Sequence, residues 1–306
     1  MYKPSKRERL QAAVEGHSVD RVPVGLWRRF PLSNQSGSEL ADAEIDFAKK
    51  YDPDFLKVMH TLPLEMERME NPEDWWKLRP LNPESGNFAA RLETLRILRQ
   101  NLGLDMPVID AVANPFSAAN RLCGNRLLMH LDANPAAVRH GLSAIAISLA
   151  DYASAWMDAG GDGIFYILDG AQLSRMPEGE YADVFLPLDR IVMQTAMEKG
   201  TFNVLHLHGA GLMFDIVHNL PAHVLNWSSR LTYPSLAEAR GIHTGCIAGG
   251  IDETTIDKKS PVDVFDEARR AIAEAGANSF ILAPGCAVPA NTPKDNLLAI
   301  RSAVEG

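Results

Sequence analysis

Cysteine is scarce, with three in 306 residues at irregular spacing. An odd, scattered set builds no disulfide framework, so the chain must fold on its core alone. Excess positive charge is also missing: Lys plus Arg number 30 against 39 Asp plus Glu, a net charge of −9. Nucleic acids and anionic membranes are bound chiefly through clustered cations, so neither is expected as the main partner. No apolar run reaches the roughly 18 residues that a membrane span needs. The start, Met1-Tyr2-Lys3-Pro4-Ser5-Lys6-Arg7-Glu8-Arg9, has the charge of an export signal but no apolar stretch behind it. These absences predict a soluble, cytoplasmic protein without a membrane span. Disorder is excluded too, because hydrophobic residues make up 46% and charged ones only 23%.

What is present is an alternation. Short β-rich apolar runs recur at Val22–Trp27, Phe55–Met59, Pro107–Val112, Gly163–Leu168, Asn203–His208, His223–Trp227, Gly245–Ala248 and Asn278–Leu282. Each is bounded by Gly, Pro, Asn or Asp and reads as a strand buried on both faces. Helical periodicity fills Ser38–Lys50, Phe88–Leu102, Ala136–Ala159, Leu188–Lys199, Pro261–Ala275 and Pro293–Val304. The caps agree: Asn134-Pro135, Ser260-Pro261 and Thr292-Pro293 look like starts, and Gly160-Gly161 and Gly276 look like stops. Eight βα units predict a parallel sheet closed into a (β/α)₈ barrel. An open doubly wound sheet would favour a glycine-rich loop after the first strand, where the chain has Arg28-Arg29-Phe30-Pro31 instead. With no linker or repeat to divide it, residues 1–306 are expected to form a single α/β barrel domain.

Barrel chemistry sits at the C-terminal strand ends. Those positions hold Arg28, His60, Asn114, Asp169, His208, Trp227, Asp252 and Cys286. The sharpest local pattern is His206-Leu207-His208, because residues i and i+2 of a strand share a face. Two imidazoles so placed suit zinc, and Cys286 in Ala283-Pro284-Gly285-Cys286 would complete a three-ligand set with one position open. The alternatives are two hydrogen-bonded histidines in a polar interior and a small buried thiol. Asp169 reads as a fourth ligand, an orienter of a histidine or a helix cap. Arg28 and Arg29 suit an anionic carboxylate or phosphate, or form a solvated pair. Tyr152 and Trp156, four apart on a helix, read as packing. Cys123, Cys246, His17, His130, His140 and His243 read as structural, and no role is assigned to His218 or His223.

The ordered set of blocks resembles the uroporphyrinogen decarboxylase superfamily. It begins with Ser5-Lys6-Arg7-Glu8-Arg9-Leu10 and Asp20-Arg21-Val22-Pro23-Val24, then Met106-Pro107-Val108-Ile109 and Asn114-Pro115-Phe116. Ala159-Gly160-Gly161-Asp162-Gly163, Asp169-Gly170-Ala171, Gly249-Gly250-Ile251-Asp252-Glu253 and Pro284-Gly285-Cys286 with Pro289 and Thr292-Pro293 follow. The resemblance implies a (β/α)₈ barrel. True decarboxylases of this superfamily use an Arg-Gln-Ala-Gly-Arg loop, an aspartate after the second strand, a tyrosine and a late histidine. Here the second strand ends Lys57-Val58-Met59-His60-Thr61 without an aspartate, Cys286 stands for the late histidine, and only Tyr152 falls at a matching position. Porphyrinogen decarboxylation is therefore not expected.

The other branch resembles zinc-dependent, corrinoid-linked methyltransferases, whose ligand pattern is His-x-Cys plus a distant cysteine. This sequence matches at His206 and Cys286 and departs at His208. Imidazole in place of thiolate leaves the site one charge less negative and the metal more electrophilic, which suits an ether or amine leaving group better than activation of a thiol. The resemblance thus implies zinc on His206, His208 and Cys286, with catalysis assigned to Asp169, Tyr152 and Arg28. Asn114, Trp227 and Asp252 are assigned to cofactor contact. No Asp-x-His-x-x-Gly cobalamin loop occurs, so the corrinoid is expected on a separate protein or free in solution, over the barrel mouth. The superfamily includes dimers, so a homodimer is consistent with the resemblance. The rival readings are a metal-independent decarboxylase of a smaller carboxylate, a non-catalytic tetrapyrrole binder and, last, a metal-dependent hydrolase.

Overall fold

Runs of apolar residues between turn residues form strands at every expected place but one. The computed structural model describes residues 3–32 and 36–305. Its strands are β1 (Leu56–Val58), β2 (Val108–Ala113), β3 (Gly163–Leu168), β4 (Val204–Leu207), β5 (Val224–Trp227), β6 (Cys246–Ile251) and β7 (Phe280–Pro284). They pair in parallel in the order of the chain, β1 to β7, to give a seven-stranded sheet.

The exception is the first run, Val22–Trp27. Among the described residues it is not a strand but a pair of isolated bridges, Val24 to Leu282 on β7 and Gly25 to Phe55 beside β1. Backbone bonds accompany them: Gly25 N–H donates to Leu282 O at 2.9 Å and Asp54 N–H to Val24 O at 2.8 Å. Two features of the sequence keep this segment from becoming a ladder. Pro23 has no N–H to donate, and Gly25 offers no side chain to pack. Gly25 is nevertheless needed, because a Cβ there would meet the Phe55 ring at 2.7 Å. The segment therefore touches both edges of the sheet without joining either as a regular strand.

Alternation along the strands makes two cores. Trp27, Phe55, Ile109, Phe165, Val204, Cys246 and Ile281 share an inner cluster. Residues from both ends of the sheet meet there, which requires the sheet to curl round on itself. The opposite faces, with Val58, Val108, Leu205, Leu207 and Leu282, pack outward against the helices.

The expected helices form as Gly37–Tyr51, Gly86–Leu102, Pro135–Asp158, Leu186–Lys199, Pro261–Ala275 and Lys294–Ser302. Asn134 and Ser260 cap two of them through their side chains. Thr292 does not cap the last; its hydroxyl donates to Pro289 O at 2.7 Å, and the helix starts past Pro293. Helices Lys6–Val14, Pro115–Leu122, Leu127–Ala133, Glu178–Val184, Phe214–Val217 and Leu236–Ile242 were not expected. At four to nine residues they are too short for a periodic signal. No helix of the described residues is long and apolar enough to cross a membrane.

Candidate metal centre

Along β4 the inward positions are Val204, then His206, with His208 just past the strand end. Leu205 and Leu207 face the helices instead. Cys286 lies two residues past the end of β7. One ligand atom from each of His206, His208 and Cys286 falls within a group no wider than 4.8 Å. His206 Nε2 is 3.4 Å from His208 Nδ1, which is 3.9 Å from Cys286 Sγ. His206 is buried, Cys286 half-buried and His208 exposed, so the group opens at the mouth of the sheet.

The surroundings fix which atoms face the centre. Asn226, on the inward face of β5, donates through Nδ2 to the carbonyls of Ala248 and Pro284 at 3.0 and 3.2 Å. Its Oδ1 is thereby turned to His206 Nδ1 at 2.7 Å. An amide oxygen only accepts, so Nδ1 carries the proton and Nε2 keeps its lone pair for a metal. Outer partners of this kind typically govern metal affinity about 10- to 100-fold. If the centre holds zinc, Asn226→Leu weakens its binding by about 10- to 100-fold, whereas Asn226→Asp, which keeps the acceptor, retains most of it. Competition with a chromophoric chelator measures both; equal affinity in Asn226→Leu and wild type would rule out the orienting role.

Two glycines bring the backbone into place. A Cβ on Gly285 would lie 2.5 Å from Ser228 Cα and 2.7 Å from Glu253 Oε2. Only glycine lets the loop bearing Cys286 approach so closely. Gly209, at a φ of +97°, follows His208, whose carbonyl accepts a short bond from Gln172 Nε2.

Charge at the centre favours a thiolate. Burial pushes the Cys286 thiol up, but hydrogen bonds to His206 and His208, with the nearby charge of Lys57, outweigh it and bring the pKa down to about 4. The same hydrogen bond raises His208. Lys57, on β1, is buried inside the sheet with its ammonium 3.5 Å from the Phe165 ring centre. Burial pushes it down to about 7, against the opposing pull of Cys286 and Glu44. Glu253, at the end of β6, accepts from Ser228 Oγ at 2.5 Å, while its Oε2 is buried without a hydrogen-bond partner. Burial raises its pKa.

The remaining strand-end residues are placed differently. Asp169 borders the centre without joining the ligand group. Its Oδ1 accepts from Gly170 N–H at 2.8 Å and Gln172 Nε2 at 3.1 Å, and its charge adds to the rise at His208. Arg28 ties the first segment to the Cys286 loop through a bridge to Val288 and a 3.1 Å bond from Nη1 to Ala290 O. Asn114 is fully buried, where it caps Pro115–Leu122 and donates to Asp169 O and Asp189 Oδ1. Tyr152 is buried on its helix, and its hydroxyl donates to Asp110 Oδ2 at 2.5 Å. Trp227 takes the outward face of β5 and gives its indole N–H to Pro234 O at 2.7 Å. Asp252 closes a turn by accepting from Thr254 and Thr255.

The polar groups of Asn114, Trp227 and Asp252 thus make hydrogen bonds within the fold. Tyr152 does not meet the ligand group. Parity explains Trp227: the inward residue of that strand is its neighbour, Asn226, which reading by strand end alone passes over.

Residues 57–306 match the family described as uroporphyrinogen decarboxylase (URO-D). The chain belongs to that family. Among its relatives, the methylcobamide:CoM methyltransferase MtbA of Methanosarcina acetivorans is 24% identical over 233 residues, covering 75% of this chain and 67% of that protein. Its counterpart in Methanosarcina mazei is 25% identical over 234 residues, with the same coverage. In fold, this URO-D family member is similar to a solved methyltransferase from Methanosarcina mazei, with a TM-score of 0.81 and 18% identity over 98% of both chains. A B12-independent methionine synthase from Shewanella is more distant, at a TM-score of 0.53 and 12% identity over 82% of this chain and 70% of that one. The family and its methyltransferase relatives agree with the resemblance read from the sequence blocks.

Proposed function

We propose that this URO-D family member is a corrinoid-dependent methyltransferase that holds zinc on His206, His208 and Cys286. The observation that carries the reading is the convergence of those three side chains, from β4 and the loop after β7, on one point at the mouth of the sheet. The relatives named methylcobamide:CoM methyltransferases support the reaction class. The donor set fits zinc: two imidazoles and a thiol already held as thiolate, with His206 presenting an unprotonated Nε2. Zinc bound there would act as a Lewis acid toward a methylated heteroatom.

The protein's own part is to hold and orient. Asn226 fixes the His206 ring, Gln172 pins the backbone at His208, and Gly285 lets Cys286 reach in. Trp27, Phe165 and the other residues of the inner cluster close the floor against water from below. Asp169 stands beside His208 as its acidic neighbour. We read the architecture as one (β/α)₈-type barrel domain over residues 1–306, with Val22–Trp27 at the place of the eighth strand. The corrinoid would come on a separate protein or free in the cytoplasm.

A neutral imidazole at position 208 leaves the donor set with a single thiolate, which favours an ether or amine methyl donor over methylation of a thiol. The test is to give the zinc-loaded protein reduced cobalamin with a panel of methyl ethers and amines and, separately, methylcobalamin with small thiols. Formation of methylcobalamin from an ether or amine, absent in His206→Ala, is the expected result. Rapid methylation of a thiol would reverse the direction, and no transfer in either arm would end the methyltransferase reading.

A further inference from the structure

Inside the curled sheet, among Trp27, Phe55 and Phe165, β1 carries an ammonium group. Lys57 is 3% exposed, and its Nζ lies 3.5 Å from the centre of the Phe165 ring and 4.9 Å from that of Trp27. It makes no hydrogen bond and no ion pair among the described residues. A buried charge is normally paired, because removing it from water costs stability that ring faces recover only in part.

Few anions act on this lysine. Glu44 is buried and accepts from Met59 N–H at 2.9 Å, and burial pushes its pKa up to about 8, so it stands protonated at neutral pH. Asp110 is already engaged by Arg91, 3.4 Å away, and by the Tyr152 hydroxyl. Arg29 only repels. The strongest pull on Lys57 comes from the thiolate of Cys286, and Lys57 acts on Cys286 in return. Geometry links the two in a second way. The Phe165 ring that carries the ammonium lies 5.2 Å from the His206 ring, tilted by 33°, so one aromatic side chain borders both Lys57 and the ligand group.

We propose that Lys57 belongs to the metal centre as the counter-charge of the Cys286 thiolate, acting through space without ligating the metal. The inference rests on the zinc reading. In the empty site the ammonium balances the thiolate. With zinc bound, two neutral imidazoles and one thiolate leave the metal net positive, and the ammonium opposes it. Lys57 thereby loosens the hold on zinc and keeps the metal short of electron density, which strengthens it as a Lewis acid. Two charges about 8 Å apart inside a protein shift an equilibrium by about tenfold or more. A packing role predicts the opposite signs. Replacing a residue kept for the fold lowers stability, whereas replacing an unpaired buried charge by an apolar side chain of similar volume leaves stability unchanged or raises it.

The test compares wild type, Lys57→Met and Lys57→Arg. Zinc affinity is read by competition with a chromophoric chelator at pH 6, below the Lys57 value of about 7, so that the amine is charged. Stability is read by urea unfolding of the metal-free proteins. Lys57→Met is expected to bind zinc about tenfold more tightly than wild type and to unfold at the same or a higher urea concentration. Lys57→Arg, which keeps the charge, should bind zinc as wild type does; where the larger side chain prevents folding, Lys57→Met decides alone. Zinc binding in Lys57→Met equal to or weaker than in wild type would overturn the inference. So would a clear loss of stability in that variant, which would make the lysine structural, or an Lys57→Arg protein that binds as tightly as Lys57→Met. Failure of the zinc reading looks different: wild type then binds no zinc, and the centre and its counter-charge fall together.

Discussion

Cys286→Ala is expected to lower methyl transfer by well over about a hundredfold while leaving the folded protein intact. Loss of a partner that merely orients a metal ligand costs about 10- to 100-fold, so loss of a ligand costs more. In the proposed zinc site the thiolate is also the one negative ligand. Removing it leaves His206 and His208, two neutral donors, beside the charge of Lys57. Little structure depends on the side chain, because Cys286 is half-buried in a loop and the close packing there belongs to Gly285. The expected pattern is therefore an unchanged unfolding midpoint with transfer lost, read by denaturant titration beside the cobalamin assay. A variant with full activity would remove Cys286 from the centre. One that also unfolds would make the residue structural.

The second large effect lies at Asp54, remote from the centre. This fully buried carboxylate accepts from Arg9 Nη1 at 2.8 Å, from Arg21 Nη1 and Nη2 at 2.7 and 2.9 Å, and from Val24 N–H at 2.7 Å. It joins the helix Lys6–Val14 to the segment that bridges β7 and β1. Asp54→Ala leaves the buried Arg9 guanidinium with Asp20 as its carboxylate partner, strips Arg21 of both its bonds to Asp54 and unties that segment. Breaking a buried ion pair from one side costs about 3–5 kcal/mol, a large share of the 5–15 kcal/mol that holds a typical domain together. Urea unfolding should show a loss of that size. Because Arg28 in the same segment bridges to Val288 beside the Cys286 loop, zinc affinity should fall as well. A stability change under about 1 kcal/mol would mean that Asp54 is not the clasp.

The strands and the shared face of His206 and His208 were legible in the sequence for one physical reason: both depend on periods of one or two residues. Apolar runs with turn residues at their ends gave β1 to β7, and i, i+2 spacing put His206 and His208 on one face. What the sequence hid depends on contacts between distant segments. Val22–Trp27 has the composition of a strand, yet Pro23 and Gly25 leave it with isolated bridges. Asn226 was within reach, since parity from Val224 points it inward, but the strand-end rule favours the bulkier Trp227. Lys57 alternates with Phe55 and Met59 and so faces the interior; what it does there depends on Phe165, over a hundred residues away. Glu253 is significant only because Gly285 brings a loop against it. Arg91 and Arg121 sit on separate helices, and no spacing along the chain hints that they share a cavity with Arg29.

The most direct test of the zinc assignment is X-ray absorption at the zinc edge, on protein loaded with one equivalent of zinc. The ligand set predicts one sulfur neighbour at about 2.3 Å, with the remaining neighbours nitrogen or oxygen at about 2.0–2.1 Å. The sulfur should vanish in Cys286→Ser. A coordination shell without sulfur in wild type, or one unchanged by the substitution, would contradict the centre formed by His206, His208 and Cys286.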